Sequence, residues 1–158
     1  MNKIDIGISD QDRSQVVKIL ERVLADQYVL YTKTRNYHWN VVGPHFGDYH
    51  KLFSDQYVAL DADIDEVAER IRSLGARTPA TLVEFGKNAR LSEHPGEYPD
   101  APTMIANLAA DHEAVVRMLR EGVEACGKHN DAGTEDFLTG LMEKHEKTAW
   151  MLRSIAEK

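Results

Sequence analysis

Apolar residues recur at helical spacing along most of the chain. An amphipathic α-helix repeats one face every three to four residues, so this period predicts helices rather than strands. The first helix is expected over about 10–40, with Ser9 as its capping residue. The second is expected over about 47–75, where Gly75 is suited to terminate a helix.

A long connection rich in proline and glycine follows the second helix, over residues 76–101. It is expected to carry a short helix at 79–85. A third helix is predicted from about Pro102, because proline suits the first helical turn. A loop at 127–133 and a fourth helix from near Thr134 to about 156 complete the chain.

Together these elements predict one all-α domain over residues 1–158, which begins with a short irregular arm at 1–9. Four long helices with a long crossover between the second and third are typical of a ferritin-like four-helix bundle. No apolar run reaches the length of a membrane span, and the N-terminus does not resemble a signal peptide. The single cysteine, Cys126, is expected in the core and suits a reducing cytoplasm.

The net charge of −7 argues against general affinity for nucleic acid, which depends on lysine and arginine replacing phosphate counterions. It suits a protein that attracts cations. Neither end of the chain carries a lysine-rich tail, so DNA condensation through tails is not expected.

Candidate chemistry centres on His38, His50, Asp65 and Glu69. Imidazole and carboxylate together suit iron or zinc. His38 and His50 lie on either side of a short turn, so they can meet. The rise from His50 to Asp65 is about 22 Å, far longer than a metal–ligand bond, so the acids cannot join them within one chain.

A two-fold axis crossing the second helix resolves this distance. An antiparallel copy would lay its Asp65 and Glu69 beside His38 and His50, giving two equivalent metal sites per dimer. The alternative is that the acids form a solvated helix face, with Arg70 and Arg72 offsetting part of their repulsion.

The chain resembles the Dps family of mini-ferritins over nearly its whole length. The resemblance is carried by five segments: Asn36-Tyr37-His38-Trp39-Asn40, His50-Lys51-Leu52-Phe53, Asp65-Glu66-Val67-Ala68-Glu69-Arg70-Ile71, Gly133-Thr134-Glu135-Asp136-Phe137-Leu138 and His145-Glu146-Lys147-Thr148-Ala149-Trp150-Met151-Leu152. It implies a cytoplasmic shell of twelve subunits that stores iron and detoxifies it. It also implies ferroxidase sites between subunits, where two ferrous ions are oxidised by hydrogen peroxide or, more slowly, by dioxygen.

The family ligands carry over to His38 and His50 of one subunit and Asp65 and Glu69 of its partner. The family's fifth ligand, an acid four residues after the second histidine, is replaced here by Ser54. A neutral hydroxyl binds iron more weakly than a carboxylate, so the second iron position is expected to be weaker. Asp55 and Asp61 are the neighbouring acids that could substitute for it. A nucleoid-binding starvation protein with weakened ferroxidase sites is the alternative function.

Other residues carry lesser expectations. In relatives, acids line an iron pore near the start of the fourth helix. Asp136 matches a pore position, Asp131 lies close to it, and Ala132 stands where some relatives have a further acid. Asp131 and Asp136 would also favour a helix N-terminus. Trp39 is a candidate trap for stray oxidising equivalents or a packing residue, and Trp150 is expected in the core or an interface. Five histidines are expected at surface or capping positions: His45, His94, His112, His129 and His145.

Overall fold

The computed structural model describes residues 4–157 and contains five α-helices and no strand over that range. The all-α prediction is therefore confirmed. The helices are α1 (Asp10–Asn40), α2 (Phe46–Ser73), α3 (Leu82–Asn88), α4 (Ala101–Lys128) and α5 (Ala132–Ala156). None of these helices is long and apolar enough to cross a membrane.

The four long helices share one apolar core. α1 packs along α2 and α4 packs along α5, with fully buried side chains such as Leu20, Phe53, Leu108 and Leu138 between them. Cys126 is a free thiol within this core, as expected, and burial raises its pKa to about 11. A thiol with so high a pKa stays protonated and unreactive.

The predicted bounds of the first two helices agree with α1 and α2, whereas the predicted short helix at 79–85 is displaced. α3 begins at Leu82 because Thr81 forms a capping box with Glu84. Each side chain bonds the other residue's backbone N–H, which fixes the first turn. The Thr-x-x-Glu signal therefore decides this boundary, rather than Pro79 three residues earlier.

The loop predicted at 127–133 is also too long. α4 continues to Lys128, and α5 already begins at Ala132, because the Asp131 side chain accepts a hydrogen bond from the Thr134 N–H at 2.9 Å. α4 itself begins where expected, with Asp100 as its cap and Pro102 in its first turn.

The long crossover between α2 and α4 is fastened to α1. The buried Asp26 carboxylate accepts hydrogen bonds from the backbone N–H of Arg90 at 2.6 Å and of Leu91 at 3.2 Å. It also pairs with the Arg90 guanidinium at 2.7 Å. In addition, Phe85 of α3 stacks on Tyr28 at 4.0 Å. The crossover is thus packed against the bundle rather than free in solvent.

Gly75 ends α2 in a Schellman motif, with the N–H of Ala76 bonded to the Ile71 carbonyl at 3.3 Å. Its φ of +93° is in the left-handed region, and an added Cβ would lie 2.0 Å from the Ile4 Cδ1. The left-handed backbone favours glycine here, whereas the tip of the Ile4 side chain could move aside for a Cβ. The predicted arm is irregular over residues 4–9, and its first three residues lie outside the described range.

Candidate metal site

A five-residue turn brings the ends of α1 and α2 together and pairs His38 with His50. Val41 is buried at the base of the turn, and Gly43 adopts a φ of +120° that favours glycine. The two imidazole rings stack with centroids 3.7 Å apart and an interplanar angle of 23°. The predicted meeting of these two histidines is confirmed.

Backbone carbonyls fix the tautomer of both rings. His38 Nδ1 lies 2.7 Å from the carbonyl oxygen of His50, and His50 Nδ1 lies 2.8 Å from the carbonyl oxygen of His38. A carbonyl only accepts, so each Nδ1 must carry the proton and donate it. In the neutral ring each Nε2 then holds a lone pair, the arrangement found in metal-ligating histidines, whose other ring nitrogen donates to a neighbouring acceptor.

Two aromatic side chains hold the pair from either side. The Phe46 ring lies 5.0 Å from His50, and the Tyr57 ring meets His38 edge-on at 5.2 Å. Both histidines are half-buried. Their rings are thus confined by packing as well as by hydrogen bonds, so two Nε2 atoms are presented in fixed positions.

The two acids lie elsewhere, as the helical rise requires. Asp65 and Glu69 are exposed on α2, several turns beyond His50. Over residues 4–157, no three side chains of histidine, cysteine, aspartate or glutamate come close enough to hold a metal ion together. Within one chain the structure brings the histidines together and leaves the carboxylates apart from them.

The stretch between the histidines and the acids has an exposed apolar residue at its centre. Val58 lies next to the midpoint between His50 and Asp65 along α2 and is 60% exposed. Ser54 and Asp61 precede and follow it on the same helix face. A single exposed valine is common on protein surfaces and does not by itself mark an interface.

The acids beside Ser54 differ in their surroundings. Asp55 is bound to Lys51, whose Nζ lies 2.9 and 2.7 Å from its two carboxylate oxygens. Asp61 is exposed and close enough to Arg35 to help raise the pKa of that guanidinium, after the larger effect of a hydrogen bond to Tyr31. The Ser54 hydroxyl lies 3.5 Å from the Tyr57 hydroxyl. Asp55 is therefore paired with a lysine of its own helix, whereas Asp61 is not.

The pore expectation for Asp131 is wrong. Its side chain is 1% exposed, and its two oxygens bind Thr134 and the Arg70 guanidinium, the latter at 2.9 Å. A buried, ion-paired cap cannot line a channel. Asp136 is exposed, as a pore residue would be, and its role there stays a prediction.

The two tryptophans are both exposed within the subunit. Trp39 is 64% exposed, with its ring 5.0 Å from the Arg35 guanidinium. Trp150 is 58% exposed, so its expected place in the core is wrong because its side chain leaves the bundle. An interface role for Trp150 stays a prediction.

The surface or capping expectation for His112 and His145 is also wrong. Both are 2% exposed, and their Nδ1 atoms lie 2.8 Å apart across α4 and α5. Burial lowers the pKa of both, that of His145 to about 4. Their spacing along the helices could have indicated this burial. His112 follows Leu108 by four residues and His145 follows Leu141 by four, so each lies on the apolar face of its helix.

Comparison with known proteins agrees with this architecture. A family profile described as a ferritin-like domain matches residues 17–158. The DNA protection during starvation protein 2 of Bacillus anthracis is 37% identical over 142 residues, covering 89% of this chain and 96% of that protein. This chain belongs to the Dps family of ferritin-like proteins.

Two further similarities extend over almost the full length. A low temperature-induced protein of Nostoc sp. is 48% identical over 158 residues, covering 99% of this chain and 88% of that protein. The crystal structure of Dps from Vibrio cholerae superposes with a TM-score of 0.92 at 30% identity, covering 99% of this chain and 98% of that one. That structure is described as a member of the ferritin-like diiron-carboxylate superfamily. The ferritin-like fold predicted from the sequence is therefore confirmed.

Proposed function

We propose that this Dps-family protein oxidises ferrous iron at sites shared between two subunits and stores the ferric product inside a twelve-subunit shell. Iron is the substrate, and hydrogen peroxide or dioxygen is the oxidant. The observation that carries the proposal is the histidine pair, whose carbonyl-bound Nδ1 atoms leave two Nε2 lone pairs side by side.

The missing ligands come from a second subunit in this proposal. A two-fold axis near Val58 would place Asp65 and Glu69 of the partner beside His38 and His50, since the midpoint between His50 and Asp65 falls between Tyr57 and Val58. Val58 is exposed at that point, so its side chain is accessible to a partner. Each dimer would hold two sites of two imidazoles and two carboxylates.

The chemistry needs two iron ions and one peroxide. Each ferrous ion gives up one electron. Hydrogen peroxide accepts both electrons and two protons, its O–O bond breaks, and two water molecules form. Taking the electrons as a pair avoids the hydroxyl radical that a single transfer would release. Neutral imidazole and carboxylate suit both iron oxidation states, because they combine a borderline nitrogen donor with a hard, charged oxygen donor.

The two iron positions are expected to differ. Asp65, Glu69 and His38 supply a carboxylate-rich first position, whereas the second has the Ser54 hydroxyl in place of an acid. Asp61, four residues before Asp65 on the same face, is the acid best placed to assist. Asp55 is held by Lys51 and is not proposed as a ligand.

Several relatives are named for DNA protection during starvation, and we propose that protection here comes from removing iron and peroxide. A reducing cytoplasm is the expected compartment, in keeping with the buried free thiol of Cys126. Nucleoid binding with weakened ferroxidase sites, which Ser54 makes thinkable, is the second candidate.

The proposal is tested by rapid mixing of the iron-free protein with ferrous ion and peroxide, followed by ferric absorbance. The wild type should oxidise two ferrous ions per peroxide, and the double variant His38→Ala, Asp65→Ala should oxidise none above the protein-free rate. Equal rates in both proteins would reject the site. Tight, salt-sensitive DNA binding by the wild type, together with slow oxidation, would favour the second candidate.

A further inference from the structure

Three aromatic side chains next to the paired histidines surround one guanidinium group. The guanidinium carbon of Arg35 lies 5.5 Å from the centre of the Tyr31 ring and 5.0 Å from that of Trp39. It lies 4.9 Å from the centre of the Tyr57 ring. The Tyr57 ring also meets the His38 ring edge-on at 5.2 Å and the Tyr31 ring at 6.1 Å. Oxidisable rings therefore lie beside the histidine pair at which iron oxidation is proposed.

The hydroxyl of Tyr57 differs from that of Tyr31 in its surroundings. It lies 3.5 Å from the hydroxyl of Ser54, three residues earlier on α2. A serine hydroxyl both accepts and donates, so it can take up the phenolic proton while passing on its own. A contact of this length is at the long end for a hydrogen bond, and contacts between reacting groups commonly tighten when a substrate binds.

Tyr31 has no comparable route for its proton. Its oxygen accepts a hydrogen bond from the Arg35 guanidinium at 2.6 Å, and the structure gives its own O–H no acceptor among residues 4–157. Of the two tyrosines, Tyr57 is thus the one that can lose an electron and a proton together.

The charge of Arg35 distinguishes the tyrosines from the tryptophan. An indole that loses an electron becomes a cation until its N–H proton leaves, and a guanidinium 5.0 Å away opposes that charge. A phenol that loses an electron and its proton together becomes a neutral radical, which the guanidinium does not repel. This charge therefore disfavours oxidation of Trp39 relative to Tyr57.

Ser54 also creates a need for a second electron donor. Hydrogen peroxide accepts two electrons, and each ferrous ion supplies one. Because a hydroxyl replaces a carboxylate at Ser54, the second iron position is the weaker one, so at low iron a single ferrous ion meets the peroxide. One electron alone would split peroxide into hydroxide and a hydroxyl radical. A neighbouring group that gives one electron and one proton prevents this.

We propose that Tyr57 supplies the second electron and that Ser54 carries its proton to the peroxide. The inference rests on the proposed iron oxidation and extends it to sites that hold one iron ion. The ferrous ion loses one electron, Tyr57 loses one electron and its O–H proton, and the O–O bond of the peroxide breaks. With one further proton from solvent, the products are a ferric ion, a neutral Tyr57 radical and two water molecules.

Both side chains are restored at the end of this sequence. Ser54 donates its proton to the peroxide and takes up that of Tyr57, so it is unchanged overall. A ferrous ion that arrives later gives one electron to the Tyr57 radical, and a proton from solvent re-forms the phenol. The overall ratio therefore stays at two ferrous ions per peroxide.

The test uses the assembled, iron-free protein, mixed without oxygen with one ferrous ion per site and one equivalent of peroxide. Samples frozen within milliseconds are measured by electron paramagnetic resonance. We expect a tyrosyl radical signal that is lost in Tyr57→Phe, which keeps the ring and removes only the oxygen. Tyr31→Phe is the matched control at the adjacent ring and should keep the signal. Spin trapping should detect more hydroxyl radical from Tyr57→Phe than from the wild type.

A second variant tests the proton route. Ser54→Ala removes the hydroxyl and leaves the proposed histidine and carboxylate ligands in place, so the radical should form more slowly than in the wild type. An equal rate of radical formation in Ser54→Ala would overturn the role of Ser54.

The outcomes separate this inference from the proposed function. Iron oxidation without a tyrosyl radical, or with an equal signal in Tyr57→Phe, overturns the inference and leaves the shared iron site standing. Loss of the signal in Tyr31→Phe as well overturns its assignment to Tyr57. Iron oxidation no faster than the protein-free rate rejects both the inference and the proposed function.

Discussion

The structure contains two histidine pairs, and they differ in the hydrogen-bond partner of Nδ1. In the half-buried pair at the turn between α1 and α2, each Nδ1 donates to a backbone carbonyl, so neither ring depends on the other for its proton. In the buried pair between α4 and α5, the two Nδ1 atoms face each other, so one must donate and the other accept. The first arrangement is fixed, whereas the second can be reversed.

Because of this difference, the turn pair is expected to affect iron oxidation and the core pair to affect the stability of the fold. The turn pair leaves two Nε2 atoms available at the surface and is expected to matter for iron binding. The core pair is buried between the helices, where a neutral imidazole is strongly favoured over a charged one. Its loss is expected to matter first for folding. The pairs can therefore be broken one at a time, with different measurements.

The largest effect is expected at the turn pair. His50→Ala removes one Nε2 and should lower the initial rate of peroxide-driven ferrous oxidation by about 100-fold or more, since even loss of a residue that only orients a metal ligand costs 10- to 100-fold. Its thermal midpoint should change little, because the ring is half-buried. Stopped-flow ferric absorbance checks the rate. His94→Ala, at an exposed histidine, is the matched control, and an equal loss there would contradict a specific role for His50.

The next largest effect is on the stability of the core pair. His145→Ala leaves His112 Nδ1 and the Gln27 amide without partners and opens a cavity, which should cost about 2–3 kcal/mol. In a domain of this size that corresponds to roughly 4–12 °C in the thermal midpoint. Calorimetry of the metal-free protein measures the shift. Glu143→Ala, on the exposed face of α5, should leave the midpoint unchanged.

A pH effect follows from the same pair. Burial lowers the pKa of His112 and His145, so below about pH 6.5 these rings are protonated in the unfolded chain and neutral in the folded one. The unfolded state then binds more protons, and stability falls as the pH falls from about 6.5 towards about 4, the folded pKa of His145. Over that window His145 contributes about 1.4 kcal/mol per pH unit, and His112 adds to the slope in the same direction.

Urea unfolding of the metal-free protein at pH 7, 6 and 5 checks this slope. The double variant His112→Leu, His145→Leu should show a flatter dependence on pH than the wild type. Equal slopes in the two proteins would show that other groups carry the acid sensitivity.

The smallest effect is a gain at the turn site. Ser54→Asp restores a carboxylate four residues after His50, on the face of α2 that bears Asp61 and Asp65. It should raise the occupancy of the second iron position and increase the oxidation rate by a few-fold, because a carboxylate binds iron better than a hydroxyl. Iron-binding stoichiometry measures the first effect. Unchanged stoichiometry would indicate that Asp61 already fills that role.

Much of the fold could be predicted from the chain because local signals agree with tertiary packing. The apolar period located four long helices, and Gly75 marked the end of α2. The predicted helix boundaries were wrong where a capping side chain, rather than a nearby proline or glycine, sets the end of the helix. Thr81 with Glu84 moved α3 towards the C-terminus, and the Asp131 cap extended helix into residues predicted to be loop.

The contact between His38 and His50 was predictable because a short turn holds the two helix ends that carry them close together. The core pair was not predicted, because its partners are 33 residues apart along the chain and come from helices whose rotation is set by packing. The same limit applies to Asp131, which has the spacing of an N-cap but whose pairing with Arg70 of α2 depends on the assembled bundle.

The claim that the iron site is shared between subunits is tested most directly by complementation. Chains carrying His38→Ala and chains carrying Asp65→Ala are each expected to be inactive, and are then co-assembled in equal amounts. Random pairing makes half of the dimers mixed, and each mixed dimer holds one site with all four native ligands, so ferrous oxidation should return to about a quarter of the wild-type rate. A co-assembled protein as inactive as either variant alone would contradict a shared site.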